Sequence, residues 1–114
     1  MTGSIDRHFA GRAPAVRAIY DRIVSAAKAE GLVREEPKKT SIHLARRTAF
    51  AGVATRKDAL ILTLKSAEDI RSPRIARREQ TSANRWHLEV RLDDPAQVDA
   101  QLKTWLKQAI ELAD

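Results

Sequence analysis

Trp86-His87-Leu88-Glu89-Val90-Arg91-Leu92 alternates apolar and polar side chains without interruption. A period of two is typical of a β-strand that buries one face and turns the other away from the core. Shortly after it, Asp94-Pro95-Ala96-Gln97 has the pattern of a helix start, with aspartate at the cap, proline in the first turn and glutamine three residues beyond the cap. This junction predicts a sheet that is covered on one face by helices.

Helical periodicity lies on both sides of the strand-rich middle of the chain. After the start at Asp94, apolar residues recur at helical spacing to about Leu112: Val98, Leu102, Trp105, Leu106, Ala109 and Ile110. Residues 14–30 show the same spacing, with Pro14 in the first turn and Gly31 just beyond the end. Ser4 is predicted to cap a further short helix that runs to about Gly11, so the N-terminal part should hold two helices.

Between these helices the period changes to two. A short strand is predicted at residues 32–34, ended by Pro37, and a longer one at 42–51 with a bulge at Arg46-Arg47. Residues 52–58 are predicted to form a connection, followed by a strand at 60–64, a loop at 66–73 and a polar edge strand at 75–81. The predicted fold is therefore α+β: two N-terminal helices, an antiparallel β-meander of about four to five strands, and a C-terminal helix packed on one sheet face. We expect a single domain over residues 1–114.

Several classes of function are excluded or disfavoured by what the sequence lacks. The chain has no cysteine, which removes disulfides, thiolate catalysis and cysteine-based metal sites. Its first residues lack the apolar core of a signal peptide, and no apolar run approaches the roughly 20 residues of a membrane span. We therefore expect a cytoplasmic protein with no membrane partner. The three histidines fit no metal-ligand spacing, and no nucleotide-binding fingerprint is present, so neither a metal nor a cofactor is predicted.

The charge is unevenly distributed along the chain. The net charge is +6 and the pI is near 10.2, which favours anionic partners. Residues 38–57 hold six basic residues and no acid, and residues 71–91 hold six arginines against two glutamates, so the rest of the chain is net negative. The positive charge thus belongs to the strands and their loops. The predicted uncovered face of the sheet carries His43, Arg47, Ile61, Thr63, His87, Glu89 and Arg91.

These observations predict a binding module that recognises an anionic partner, either a nucleic acid or a phosphorylated ligand, through a basic sheet region. The predicted anion-binding residues are Lys38, Lys39, Arg46, Arg47, Arg74 and His87. A solvated basic face with no ligand accounts for the same charges. Nucleic-acid readers also place aromatic side chains on such a face, whereas both tryptophans lie on apolar stripes here.

Two alternatives come from other classes of protein. One is a small enzyme in which His43 or His87 works with a nearby hydroxyl or carboxylate. The other is an accessory domain that forms a homodimer through its uncovered sheet face or an edge strand. No catalytic motif is recognisable in the sequence, which favours the binding module over the enzyme.

The chain also resembles a known family over nearly its whole length. The resemblance is carried by the order of short segments, from Asp6-Arg7-His8-Phe9-Ala10-Gly11 through Pro37-Lys38-Lys39-Thr40, Phe50-Ala51-Gly52, Ser72-Pro73-Arg74, Trp86-His87-Leu88 and Val98-Asp99 to Trp105-Leu106. This order is similar to the bacterial family catalogued as domain of unknown function 5655. The resemblance implies an α+β fold and brings no activity, cofactor or catalytic residues. It marks the loop of residues 37–40, the Phe50-Ala51 strand end and His87 as the recognisable positions.

Overall fold

A computed structural model, which describes residues 5–113, contains two α-helices and one sheet of six antiparallel strands. Helix α1 is Pro14–Lys28 and helix α2 is Ala100–Leu112. The strands are β1 Arg34–Pro37, β2 Ile42–Ala45, β3 Ala49–Thr55, β4 Leu60–Ser66, β5 Ile75–Ser82 and β6 Arg85–Leu92. Their order across the sheet is β1-β2-β3-β4-β6-β5. The predicted α+β class, the antiparallel sheet and the C-terminal helix are confirmed.

The prediction of two N-terminal helices is wrong, because α1 is the single N-terminal helix of the described residues. The segment before it forms a short 3₁₀ turn, Arg7–Phe9. Extended backbone at Ala10 and a left-handed conformation at Gly11 (φ 72°) stop the turn. The predicted cap Ser4 lies outside the described residues.

The strand count was also underestimated, at four to five where six are present. The predicted long strand at 42–51 is two strands, β2 and β3, and Arg46-Arg47-Thr48 is the turn between them rather than a bulge. The alternation of apolar residues is disturbed at this turn, but no glycine or proline marks it as a turn. Residues 52–58 were predicted as a connection in which Val53 could prolong the strand, and β3 continues to Thr55.

The sheet also departs from a simple meander after β4. After β4 the chain crosses to the outer edge of the sheet and forms β5. Strand β6 then returns to lie between β5 and β4. The sequence pattern identified strands β4, β5 and β6 but carries no signal for their order.

The C-terminal helix begins later than predicted. Asp94 accepts a hydrogen bond from the Ala96 N–H, and Gln97 bonds back to the Asp94 N–H, as a capping box requires. This box closes only a 3₁₀ turn, Pro95–Gln97, because Val98 leaves the helical region. Asp99 then caps α2 by accepting from the Leu102 N–H.

Both helices pack on one face of the sheet and form a single core. The alternation predicted for residues 86–92 is confirmed, with Leu88, Val90 and Leu92 buried against the helices. The opposite face has no covering element among the described residues. There the register aligns one row across five strands: His43, Gly52, Thr63, Glu89 and Arg77. None of the helices in residues 5–113 is long and apolar enough to cross a membrane.

One buried polar group ties α1 to the edge of the sheet. The Tyr20 ring is 1% exposed, and its hydroxyl donates to Oε1 of Glu35 on β1 at 2.6 Å. The Lys28 ammonium lies 3.5 Å from the other carboxylate oxygen. Burial, together with the hydrogen bond to Glu35, raises the pKa of Tyr20 above its ordinary value.

We expect Tyr20→Phe to lower the free energy of unfolding by about 1 kcal/mol at neutral pH, since it removes one hydrogen bond to a charged acceptor. Above about pH 10 the unfolded chain releases the tyrosine proton while the folded chain keeps it, so wild-type stability should fall as pH rises. Urea unfolding of both proteins at pH 7 and above 10 measures this. The difference between them should shrink at high pH; a constant difference would contradict the raised pKa.

Candidate functional site

The predicted anion-binding residues do not lie together. Lys38 and Lys39 belong to the loop between β1 and β2, at one end of the sheet. Arg46 and Arg47 form the turn between β2 and β3, at the opposite end. The four residues of β2 separate the two pairs by about 13 Å. Each pair therefore belongs to a different surface.

Arg74 lies on the helix-covered side, where its guanidinium is held by the protein itself. Its Nη1 contacts Oδ1 of Asp99 at 2.9 Å, and its Nη2 donates to the Gln97 carbonyl at 2.7 Å. The guanidinium carbon also lies 5.7 Å from the centre of the Trp105 ring. These contacts join the residue before β5 to the 3₁₀ turn and cap that precede α2.

At the β2–β3 turn, the two arginines differ in their contacts. Nη1 of Arg46 donates to the Glu30 carbonyl at 3.3 Å, and Arg34 donates to the Arg46 carbonyl. Arg47 is exposed. A nearby hollow is bordered by Leu32, which is 90% exposed.

At the other end of the sheet, two loops emerge side by side. Ile42 pairs with Val53, so the β1–β2 loop is next to the turn that joins β3 to β4. The N-terminal segment crosses the first loop: Nη2 of Arg7 donates to the Lys38 carbonyl at 3.1 Å, and the His8 ring contacts the same oxygen at 2.9 Å.

The same segment is also bonded to the second turn. The Thr55 hydroxyl donates to the His8 carbonyl at 2.6 Å, and the Arg12 Nε donates to the Thr55 hydroxyl at 3.0 Å. The backbone N–H of Ala13 donates to the Lys57 carbonyl at 2.7 Å. Three segments that are distant in sequence are thereby fixed against each other.

This arrangement gathers six exposed cations, which we call the basic end: Arg7, Arg12, Lys38, Lys39, Arg56 and Lys57. Within residues 5–113, none of the six forms an ion pair with a carboxylate. Two acids are adjacent in sequence to these cations, and both contact other arginines: Asp6 lies 2.8 Å from Arg17 and Asp58 lies 3.9 Å from Arg91. Sequence reasoning selected Lys38 and Lys39 but missed the other four as site residues. Arg56 and Lys57 fall in the basic stretch that it counted, whereas no local signal linked Arg7 and Arg12 to it.

A second feature lies on the uncovered sheet face, and we call it the basin. It is a shallow depression of about 300 Å³ over β2, β3 and β4, bordered by β6. Its lining residues are Ser41, His43, Ala49, Ala51, Gly52, Val53, Ala54, Thr63, Lys65 and His87. The predicted site residue His87 and the other candidate, His43, thus border one depression.

The two histidines are too far apart to exchange a proton directly. Strands β3 and β4 lie between β2, which carries His43, and β6, which carries His87. Three strand spacings correspond to about 14 Å between the Cα atoms. No group of three histidine, aspartate or glutamate side chains that could hold a metal ion occurs in residues 5–113. An enzyme built on either histidine stays a prediction.

The sheet has two edges, β1 and β5. Strand β5 is the longer, and every residue after Ile75 is exposed. An edge of this kind is the surface on which a homodimer by strand pairing would form. The homodimer stays a prediction.

Comparison with known proteins gives one match. The model of a family described as "Domain of unknown function (DUF5655)" matches residues 5–113. No curated protein and no solved structure matches the chain. The matched range includes both the basic end and the basin.

Proposed function

We propose that this chain, which belongs to the domain of unknown function family DUF5655, binds a nucleic-acid backbone through its basic end. The observation that carries the proposal is the convergence of six cations from three segments with no carboxylate partner among the described residues. Like charges at close range repel each other, so such a cluster lowers stability unless an anion neutralises it. Phosphates of a polymer supply negative charge at regular spacing.

The basic end is suited to positioning a backbone rather than to reading bases. Its cations are exposed and lie on two loops and the N-terminal segment. Phosphate contacts from lysine and arginine supply affinity and orientation but carry no sequence information. Hydrogen bonds between the N-terminal segment and the two loops hold the loops in place, so the cations are arranged before the partner arrives. We therefore expect binding that depends little on sequence.

The uncovered sheet face is a weaker candidate for the same partner. Its cations Lys65, Arg77 and Arg91 are offset by Glu79 and Glu89. In residues 5–113 that face carries no aromatic side chain, and Trp86 packs against the core instead. Single-stranded nucleic acids are usually held by stacking on exposed aromatic rings. The charge of the basic end favours a phosphate backbone as its ligand.

The test compares two variants of equal charge. Lys38→Gln/Lys39→Gln/Arg56→Gln/Lys57→Gln removes four cations of the basic end. The control removes four cations elsewhere: Arg71→Gln/Arg85→Gln/Lys103→Gln/Lys107→Gln. By fluorescence anisotropy with a mixed-sequence duplex in about 0.1 M salt, the first variant should lose at least tenfold in affinity, since each phosphate contact contributes nearly tenfold there. The control should stay within about threefold of wild type.

A further double variant, Arg46→Gln/Arg47→Gln, tests the opposite end of the sheet. We expect it to change the affinity by less than about threefold, because the two ends are separated by β2. Equal losses in both quadruple variants would contradict the proposal, since net charge alone would then explain binding. Loss of binding confined to Arg46→Gln/Arg47→Gln would move the site to the β2–β3 turn.

A further inference from the structure

The middle of the uncovered sheet face lacks large side chains. Gly52 lies at the centre of the basin, with Ala49 and Ala54 on the same strand. A Cβ atom added at Gly52 would meet no atom within 4 Å. A glycine inside a strand costs stability relative to most residues, and it often marks a place where something approaches the backbone closely. Tight packing therefore does not require a glycine at this position, and the space above Gly52 is open.

Polar side chains border the basin, whereas its floor is apolar. Thr63 and Lys65 project from β4, His87 from β6 and His43 from β2. In residues 5–113 none of these four side chains takes part in a hydrogen bond or an ion pair. An apolar floor with a few convergent polar groups is typical of small-molecule sites, and about 300 Å³ is at the lower end of their volumes. The basin can therefore admit only a small ligand.

The charges around the basin determine which ligand it suits. Lys65 supplies a positive charge, while Glu89, the cross-strand neighbour of Thr63, supplies a carboxylate on the same face of the sheet. A phosphate dianion would be repelled by Glu89 more strongly than a monoanion would. We propose that the basin binds a small apolar monocarboxylate, with the carboxylate on Lys65 and Thr63 and the apolar body over Gly52. This site is separate from the basic end and does not rest on the proposed function.

The test uses benzoate and isovalerate as probes and follows amide resonances of ¹⁵N-labelled protein by NMR. For probes of this size we expect saturable shifts at Gly52, Thr63 and Lys65 with a Kd on the order of 1 mM. Phenyl phosphate and benzamide, which alter the charge but keep the ring, should bind at least about fivefold more weakly than benzoate. Absence of saturable shifts with both acids up to about 20 mM would overturn the inference.

Two variants distinguish the basin from a nonspecific effect. Gly52→Val fills the opening without meeting a neighbour at its Cβ, so it should abolish the shifts while the Tm stays equal or rises. Lys65→Met keeps the length of the side chain and should weaken benzoate at least about fivefold. The quadruple variant of the basic end should bind benzoate like wild type. Unchanged benzoate affinity in either Gly52→Val or Lys65→Met would overturn the inference. If Gly52→Val fails to fold, the affinity of Lys65→Met for benzoate alone tests it.

Discussion

Raising the salt from about 50 to about 200 mM should weaken binding of a mixed-sequence DNA duplex to this domain by about a hundredfold. Each phosphate that a cation neutralises releases condensed counterions, and the affinity falls with salt in proportion to their number. If about four of the six cations of the basic end contact phosphates at once, the logarithmic slope is about −3.6. A fourfold rise in salt then gives the stated loss. Fluorescence anisotropy across a salt series measures the slope directly.

The slope separates the basic end from general electrostatic attraction. Lys38→Gln/Lys39→Gln/Arg56→Gln/Lys57→Gln leaves two of the six cations, Arg7 and Arg12, so the slope should fall in magnitude to about −1 or −2. The equally charged control variant should keep the wild-type slope, because its substitutions lie outside the basic end. A wild-type slope near zero would rule out phosphate contacts as the source of affinity.

A phosphate at the basic end would be held by a surface whose parts are already in place. The bonds from Arg7 and His8 to the Lys38 carbonyl, and from Thr55 to the His8 carbonyl, fix the loops without using the lysine ammonium groups. At Lys38 only the backbone carbonyl takes part in these bonds, so the charged ends of the lysines remain for a partner. Preorganised charge lowers the ordering cost of binding.

Local sequence was sufficient to predict the elements whose periodicity is unbroken. Strand β6 and the apolar stripe of α2 are confirmed almost residue for residue, because side-chain spacing alone identifies them. The β2–β3 turn was missed because its residues Arg46-Arg47-Thr48 interrupt the pattern without a typical turn residue. The order of β5 and β6 was missed because it depends on which edges pair, and both strands have the same period.

The positive charge of the candidate site could be predicted from the sequence, but most of the residues that form it could not. Lys38 and Lys39 were selected because they are adjacent in a polar loop, a purely local signal. Arg7 and Arg12 join them only through hydrogen bonds across more than 30 residues of sequence. The basin was missed for the same reason. Gly52 was predicted to begin the connection after a strand, whereas the register places it inside β3, between β2 and β4, where it leaves an opening.

Arg74 illustrates how a cation chosen for its charge can serve the fold. The Leu102 N–H and, after it, the Arg74 guanidinium hold the pKa of Asp99 below its ordinary value. Asp99 is exposed, so this ion pair adds little to stability by itself. The bond from Arg74 to the Gln97 carbonyl and its position over Trp105 are more sheltered, since the Arg74 side chain is 22% exposed.

We therefore expect Arg74→Ala to lower the free energy of unfolding by about 2 kcal/mol and the Tm by about 8 °C, because it leaves a carbonyl at the start of α2 without its charged donor and exposes part of an indole ring. Arg77→Ala removes an arginine of β5 that lies 4.0 Å from a Glu79 carboxylate oxygen; it is the matched control and should cost less than about 0.5 kcal/mol. Urea and thermal unfolding followed by circular dichroism measure both. Duplex affinity should change by less than about threefold in Arg74→Ala, because Arg74 is outside the basic end. Wild-type stability combined with lost duplex binding would instead assign Arg74 to the anion-binding surface, as its charge alone had suggested.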